Sequence, residues 1–141
     1  MSIEKNNKTY LYKRIVRAKL YIDEHYIEDI DMDGIAGEAC LSKFHFLRLF
    51  KQIYGLTPHK YVTSLRINRA KELLRNGIAI SDTCYSLGFE SLSSFTKLFK
   101  RYSDVNPSIY SAKAKDINRQ IAAAPLNFVP QFYIEYLHWD K

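Results

Sequence analysis

Lys43, Arg48 and Lys51 fall within nine residues, and Lys97, Lys100 and Arg101 within five. Cations at such helical spacing can neutralise a row of phosphates. Arginine adds a planar fork that pairs with guanine O6 and N7. Catalytic chemistry finds less to work with. His25, His45, His59 and His138 are scattered and form no metal-ligand spacing with Cys40 and Cys84. No glycine-rich phosphate loop and no Gly-x-Ser-x-Gly occurs. The sequence therefore predicts a binding protein and not an enzyme, with no cofactor and no bound metal.

Charge is concentrated in the middle. Residues 41–80 carry eight basic and one acidic side chain, whereas residues 1–40 carry six and eight and residues 81–141 carry seven and six. A basic middle fits an anionic partner, either nucleic acid or a membrane surface, and also fits a solvated basic face. A length of 141 residues suits one domain with a real core. The start MSIEKNNKT is polar, no apolar run reaches the roughly 20 residues of a membrane span, and the two cysteines read as reduced thiols. A cytoplasmic, nucleoid-associated protein with no membrane partner is expected.

The cationic clusters sit inside a phrase that the chain writes twice. Phe46, Leu49, Phe50, Lys51, Pro58 and Tyr61 recur 49 positions later as Phe95, Leu98, Phe99, Lys100, Pro107 and Tyr110. Upstream the offset is 48, with Ala36, Cys40 and Leu41 against Cys84, Gly88 and Phe89, so the later copy has one extra residue. Phe46, Leu49, Phe50 and Ile53 have the spacing of a buried helical stripe, as do Phe95, Leu98, Phe99 and Tyr102. Ser42 and Ser91 precede these stripes as N-caps, and Gly55 follows the first. A short helix is predicted before each, over Met32–Ala39 and Asp82–Leu87, capped by Asp31 and Ser81. A short and a long helix across a tight turn make a helix-turn-helix.

After each unit a helix restarts with proline at its first position, at Thr57-Pro58 and Asn106-Pro107. The first of these, over 58–76, reads as a connector with Tyr61, Leu65, Ala70, Leu73 and Leu74 on its apolar side, ended by Gly77. The fold class is all-α: two helix-turn-helix subdomains joined by a long connector helix, plus a C-terminal aromatic tail of unassigned structure. The expected divisions are a flexible arm over 1–9, a first subdomain over 10–56, the connector over 57–77, a second subdomain over 78–114 and the tail over 115–141. Leu11–Tyr26 reads as a helix packing Ile15, Ala18 and Ile22 beneath the first unit.

IAGEACLSKFHFLRLFKQIYGLTPHKYV, LRINRAKELL and SLGFESLSSFTKLFKRYSDVNPSIY together resemble the DNA-binding domain of the AraC/XylS family of bacterial transcription regulators. The resemblance covers about Ile15 to Tyr110. With no room for a sensor domain, the chain looks like the single-domain MarA/SoxS type. It implies binding of double-stranded DNA by one copy across two successive major grooves, and recruitment of RNA polymerase as an activator. Without a sensor domain, activity would follow abundance.

Arg48 is the expected base contact on the first long helix, with Phe44 and Leu47 facing out toward thymine methyls or taken up in packing. Lys43 and Lys51 read as phosphate contacts. On the second, Ser93, Ser94, Thr96 and Lys97 fall where the resemblance puts DNA contacts, and Lys100 and Arg101 also face out. Lys97 stands where relatives often carry arginine and should discriminate bases less sharply. Glu90 could accept from cytosine N4 or simply charge a helix start.

Two features depart from the family pattern. Cys40 takes a turn position where glycine is usual, and Cys84 a packed position where alanine is usual. The tail APLNFVPQFYIEYLHWDK is aromatic, and PQFYIEYLHWD has strand character. It is open to folding back, to self-association or to a protein partner. Two other functions stay open through it: a regulator sensing a ligand near Trp139, and a protein-interaction module using the helices as scaffold.

Overall fold

The structure, a computed structural model, describes residues 2–132. It contains α1 (Ser2–His25), α2 (Met32–Glu38), α3 (Lys43–Tyr54), α4 (Pro58–Arg75), α5 (Ile80–Ser86), α6 (Leu92–Ser103), α7 (Pro107–Ala123) and a 3-10 turn over Pro125–Phe128. No strand occurs among the described residues. The helices begin where side chains can take up their free amides. The Ser42 hydroxyl accepts from the His45 amide at 3.2 Å, Ser91 from Ser94 at 3.1 Å and Thr57 from Lys60 at 3.4 Å.

The repeated phrase is an aromatic ladder. Phe46 and Phe50 are fully buried, with ring centres 5.9 Å apart, and Tyr61 of α4 packs tilted against Phe50 at 5.6 Å. In the second copy Phe95, Phe99 and Tyr110 repeat this at 5.7 and 5.4 Å. Each ladder fastens a long helix to the proline-started helix after it. Around them lie two cores. One joins Ile15, Ile22, Ile35 and Val62, the other Ile67, Leu74, Cys84 and Leu87, and Tyr26 touches both.

Several expectations are corrected. The 1–9 arm is the first part of α1, because Lys and Glu favour helix and two asparagines cost it only tenths of a kcal/mol, roughly. Ser81 is not a cap, since α5 starts at Ile80 after Ala79, with no side-chain cap bond. Ile53 is exposed, and Tyr54 packs on the first core in its place. The connector buries Val62, Ile67, Ala70 and Leu74, while Tyr61, Leu65 and Leu73 lie partly buried at the core edges. One helix serving two cores rotates its buried side midway, so a single stripe does not describe it. The tail expected from 115 begins as helix, because α7 runs on to Ala123 through the helix formers AKDINRQIAA. Asn118 donates to the Arg75 carbonyl at 3.0 Å and ties α7 to the end of α4. The segment PQFYIEYLHWD, expected to be a strand, is helical at Gln131 and Phe132; the rest of it from Tyr133, and the ligand-sensing expectation for Trp139, fall on residues 133–141, outside the described residues.

Both turns close alike. The Leu41 amide reaches the Ala36 carbonyl at 3.0 Å, and Phe89 reaches Cys84 at 3.4 Å. The residue before each is left-handed, Cys40 at φ 55° and Gly88 at φ 82°. A β-carbon on Gly88 would lie 2.3 Å from the Ile27 carbonyl oxygen, whereas Cys40 already carries one there at a steric cost. Substitution at the matched positions should therefore move stability oppositely. Cys40→Gly is expected to raise it by about 0.5–1 kcal/mol and Gly88→Ala to lower it by at least about 2 kcal/mol. Urea denaturation midpoints check both.

Candidate nucleic-acid interface

α3 and α6 occupy matching places, each the second helix of its unit, and both expose cations. Arg48 and Lys51 on α3 and Lys97, Lys100 and Arg101 on α6 are solvent-exposed. No ion pair engages any of these five among the described residues. Phe44 stands 83% exposed. Ser93 and Ser94 are exposed in the first turn of α6, where the helix dipole favours phosphate. The hydrophobic seams that hold α3 and α6 leave these sides free, because Phe46 and Phe50 of α3 and Phe95 and Phe99 of α6 point the other way.

Three expected site residues sit differently. Leu47 is partly buried against the first core rather than facing out, because it adjoins Phe46 and flanks the buried stripe. Thr96 is half-buried beside Phe95. Lys43 is exposed but 3.5 Å from the Asp33 carboxylate of α2, a surface pair of small energy that a phosphate can replace. Glu90 is exposed and is the extra residue of the second copy, lying between Phe89 and the Ser91 cap.

The junction between the units depends on a residue that sequence reasoning missed. Arg66, at the middle of α4, donates from Nε to the Tyr26 carbonyl at 2.6 Å and from its two terminal nitrogens to the Glu28 and Gly88 carbonyls at 2.9 and 3.3 Å. Its guanidinium also lies 5.7 Å from the Phe89 ring centre. Burial lowers its pKa, and the Asp29 carboxylate opposes that shift. The α1–α2 loop, the connector and the second turn thus meet on one side chain. The available signal was a charge between Leu65 and Ile67 in an apolar stretch of the connector. A cleft of about 530 Å³ opens beside it, lined by Asp29, Arg66, Glu90 and Ser94 among others.

The cysteines show no sign of special chemistry. Cys84 is fully buried, and burial pushes its thiol pKa up, so it stays protonated. Cys40 is exposed, with its Sγ 3.9 Å from the Glu38 carbonyl. Among the described residues no group of three His, Cys, Asp or Glu is placed to hold a metal.

Two helix-turn-helix units on a shared connector define a bipartite helix-turn-helix protein, and comparison with known proteins agrees. A family model described as a helix-turn-helix domain matches residues 35–113. The chain is 37% identical over 73 residues to the HTH-type transcriptional regulator YbfI of Bacillus subtilis, covering 52% of this chain and 26% of that protein. It is 33% identical over 88 residues to the HTH-type transcriptional activator RhaS of Escherichia coli, covering 62% of this chain and 32% of that one. A solved AraC-type DNA-binding domain protein from Chromobacterium violaceum superposes with a TM-score of 0.65 at 28% identity, over 73% of this chain and 93% of that chain. The chain belongs to the AraC-type helix-turn-helix family. It spans about a quarter to a third of the length of the curated relatives it matches.

Arg66 makes the junction testable. Arg66→Ala is expected to lower unfolding free energy by about 2–3 kcal/mol, since it strands carbonyls in a partly buried site. Arg66→Lys should recover less than half of that loss, because an ammonium cannot reach three carbonyls as a fork does. Denaturation curves of the two variants beside the parent give the answer.

Proposed function

We propose that this chain is a sequence-specific transcription regulator that binds duplex DNA with α3 and α6 in successive major grooves, one copy per site. The observation that carries the reading is the pair of equivalent helices with exposed cations, held in fixed relation by the Arg66 junction. The connector has 18 residues, which at about 1.5 Å each gives a rod of about 27 Å. That is comparable to the ~34 Å that separates major-groove faces on one side of B-DNA. Because the two units differ in sequence, the site read would be asymmetric.

Roles follow from chemistry. Arg48 offers a bidentate contact to guanine, and Phe44 an apolar contact to a thymine methyl. Lys43, Lys51, Lys100 and Arg101 position the protein on phosphates, joined by Ser93 and Ser94 at the start of α6. Lys97 reads its base with one ammonium, and Glu90 accepts from cytosine N4. Leu47 and Thr96 contribute their exposed portions at the edges of the two faces. Activation through contact with RNA polymerase, and a cytoplasmic location, extend this reading; the relative RhaS is named an activator. No described helix is long and apolar enough to cross a membrane.

The test is selection from random duplex DNA followed by sequencing, with Arg48→Ala and Lys97→Ala beside the parent. The parent should enrich an asymmetric site of two boxes about one helical turn apart. Each variant should relax one box, with a loss of about 1–3 kcal/mol at that box. Binding that enriches no sequence, or variants that relax both boxes alike, would contradict the proposal.

A further inference from the structure

A second cleft, of about 350 Å³, lies where the N-terminal part of α4 passes α6. His59, Lys60 and Thr63 line it from α4, and Leu98, Arg101 and Tyr102 from α6. It shares Thr63 and Leu98 with the cleft beside Arg66, so the two form one trough along the seam between the units. The trough is electrically lopsided. Asp29 and Glu90 line the Arg66 end, and His59, Lys60 and Arg101 line the other. Lys60 and Arg101 are exposed, and among the described residues neither has an ion-pair partner. Elsewhere Lys19 pairs with Asp23 at 2.7 Å and Arg69 with Glu72 at 2.6 Å, so acids of the fold neutralise other cations and leave these bare. Arg101 lies one helical turn beyond Lys97, so the cleft adjoins the reading face of α6.

We propose that this cleft is a third DNA contact, a phosphate clamp that grips the backbone between the two major-groove boxes. Lys60 and Arg101 supply the charge from two different helices, and His59 adds a ring nitrogen as a hydrogen-bond partner. Tyr102 and Thr63, whose hydroxyl donates to the His59 carbonyl at 3.0 Å, complete the lining. No acidic side chain lines the end that holds His59, Lys60 and Arg101, so the clamp is placed at that end of the trough. A clamp built across the seam engages fully only when both units share one duplex. It reads no bases, so it contributes affinity and register without sequence preference.

The proposal rests on the duplex-DNA reading, and the experiment separates the two. Binding of the full chain to its selected duplex, and to a scrambled duplex of the same length, is measured by fluorescence anisotropy across a salt series. Lys60→Ala and Lys60→Glu are compared with the parent and with Lys115→Ala on α7, outside the cleft. Lys60→Ala should weaken both duplexes about three- to tenfold and make the log–log salt slope shallower by about 0.9, the value for one phosphate contact. The ratio of selected to scrambled affinity should stay unchanged. Lys60→Glu should weaken binding further, and Lys115→Ala should match the parent. Thermal unfolding of the variants should match the parent, since Lys60 is exposed. A steep parent slope with Lys60→Ala unchanged, or a loss confined to the selected duplex, overturns the clamp alone. Absence of salt-dependent binding by the parent overturns both the clamp and the DNA reading.

Discussion

Arg66 gathers three backbone carbonyls from two remote parts of the chain, those of Tyr26 and Glu28 on one side and Gly88 on the other. Two cores packed separately could sit at many angles along a bare helix. The guanidinium removes that freedom because its donors are planar and fixed relative to one another. Gly88 completes the arrangement by bringing the second turn so close to the Ile27 carbonyl that a side chain has no space. The relation between α3 and α6, on which the proposed two-groove reading depends, is thus set at the junction of the two units.

Within each unit the geometry is set by aromatics. The Phe-Phe-Tyr ladders place α3 and α6 against the helices that follow, and burying each phenylalanine contributes about 2–3 kcal/mol. Tyr61 also reaches across to α1, where its hydroxyl donates to Asp23, which in turn pairs with Lys19. Burial and the Asp23 bond both raise the Tyr61 pKa above its usual value, so this anchor keeps its proton at neutral pH. Tyr110, its counterpart, accepts from Arg75 at 3.1 Å at the far end of the connector. The same rung is thereby fastened to different neighbours, and duplicated sequence gives two units that are alike in packing and different in surface.

Much of this was legible in the residues because it depends on local spacing. The serine caps, the phenylalanine pairs and the prolines are read from a few neighbouring positions. What was missed depends on distance. The partners of Arg66 are carbonyls 22 to 40 positions away, and carbonyls leave no mark in sequence. Val62 and Ile67 were passed over because a helix feeding two cores breaks the single-stripe pattern. Ser81 matched a cap by type, yet the chain turned helical one residue before it. Leu47 showed its exposed side in the helical pattern, and only tertiary packing reveals its buried half. The seam trough also needed the fold, since α4 and α6 bring together residues about 40 positions apart.

The most direct test of a rigid two-groove reader is to separate its boxes. Inserting about half a helical turn, roughly 5 bp, between the two boxes of the selected duplex turns one to the opposite side of the helix. The parent protein should then lose about 100-fold in affinity relative to the unaltered site, since one reading helix must leave its groove. Equal affinity for the two spacings would mean that the units move independently or that only one of them reads DNA, and the account given of the Arg66 junction would be wrong.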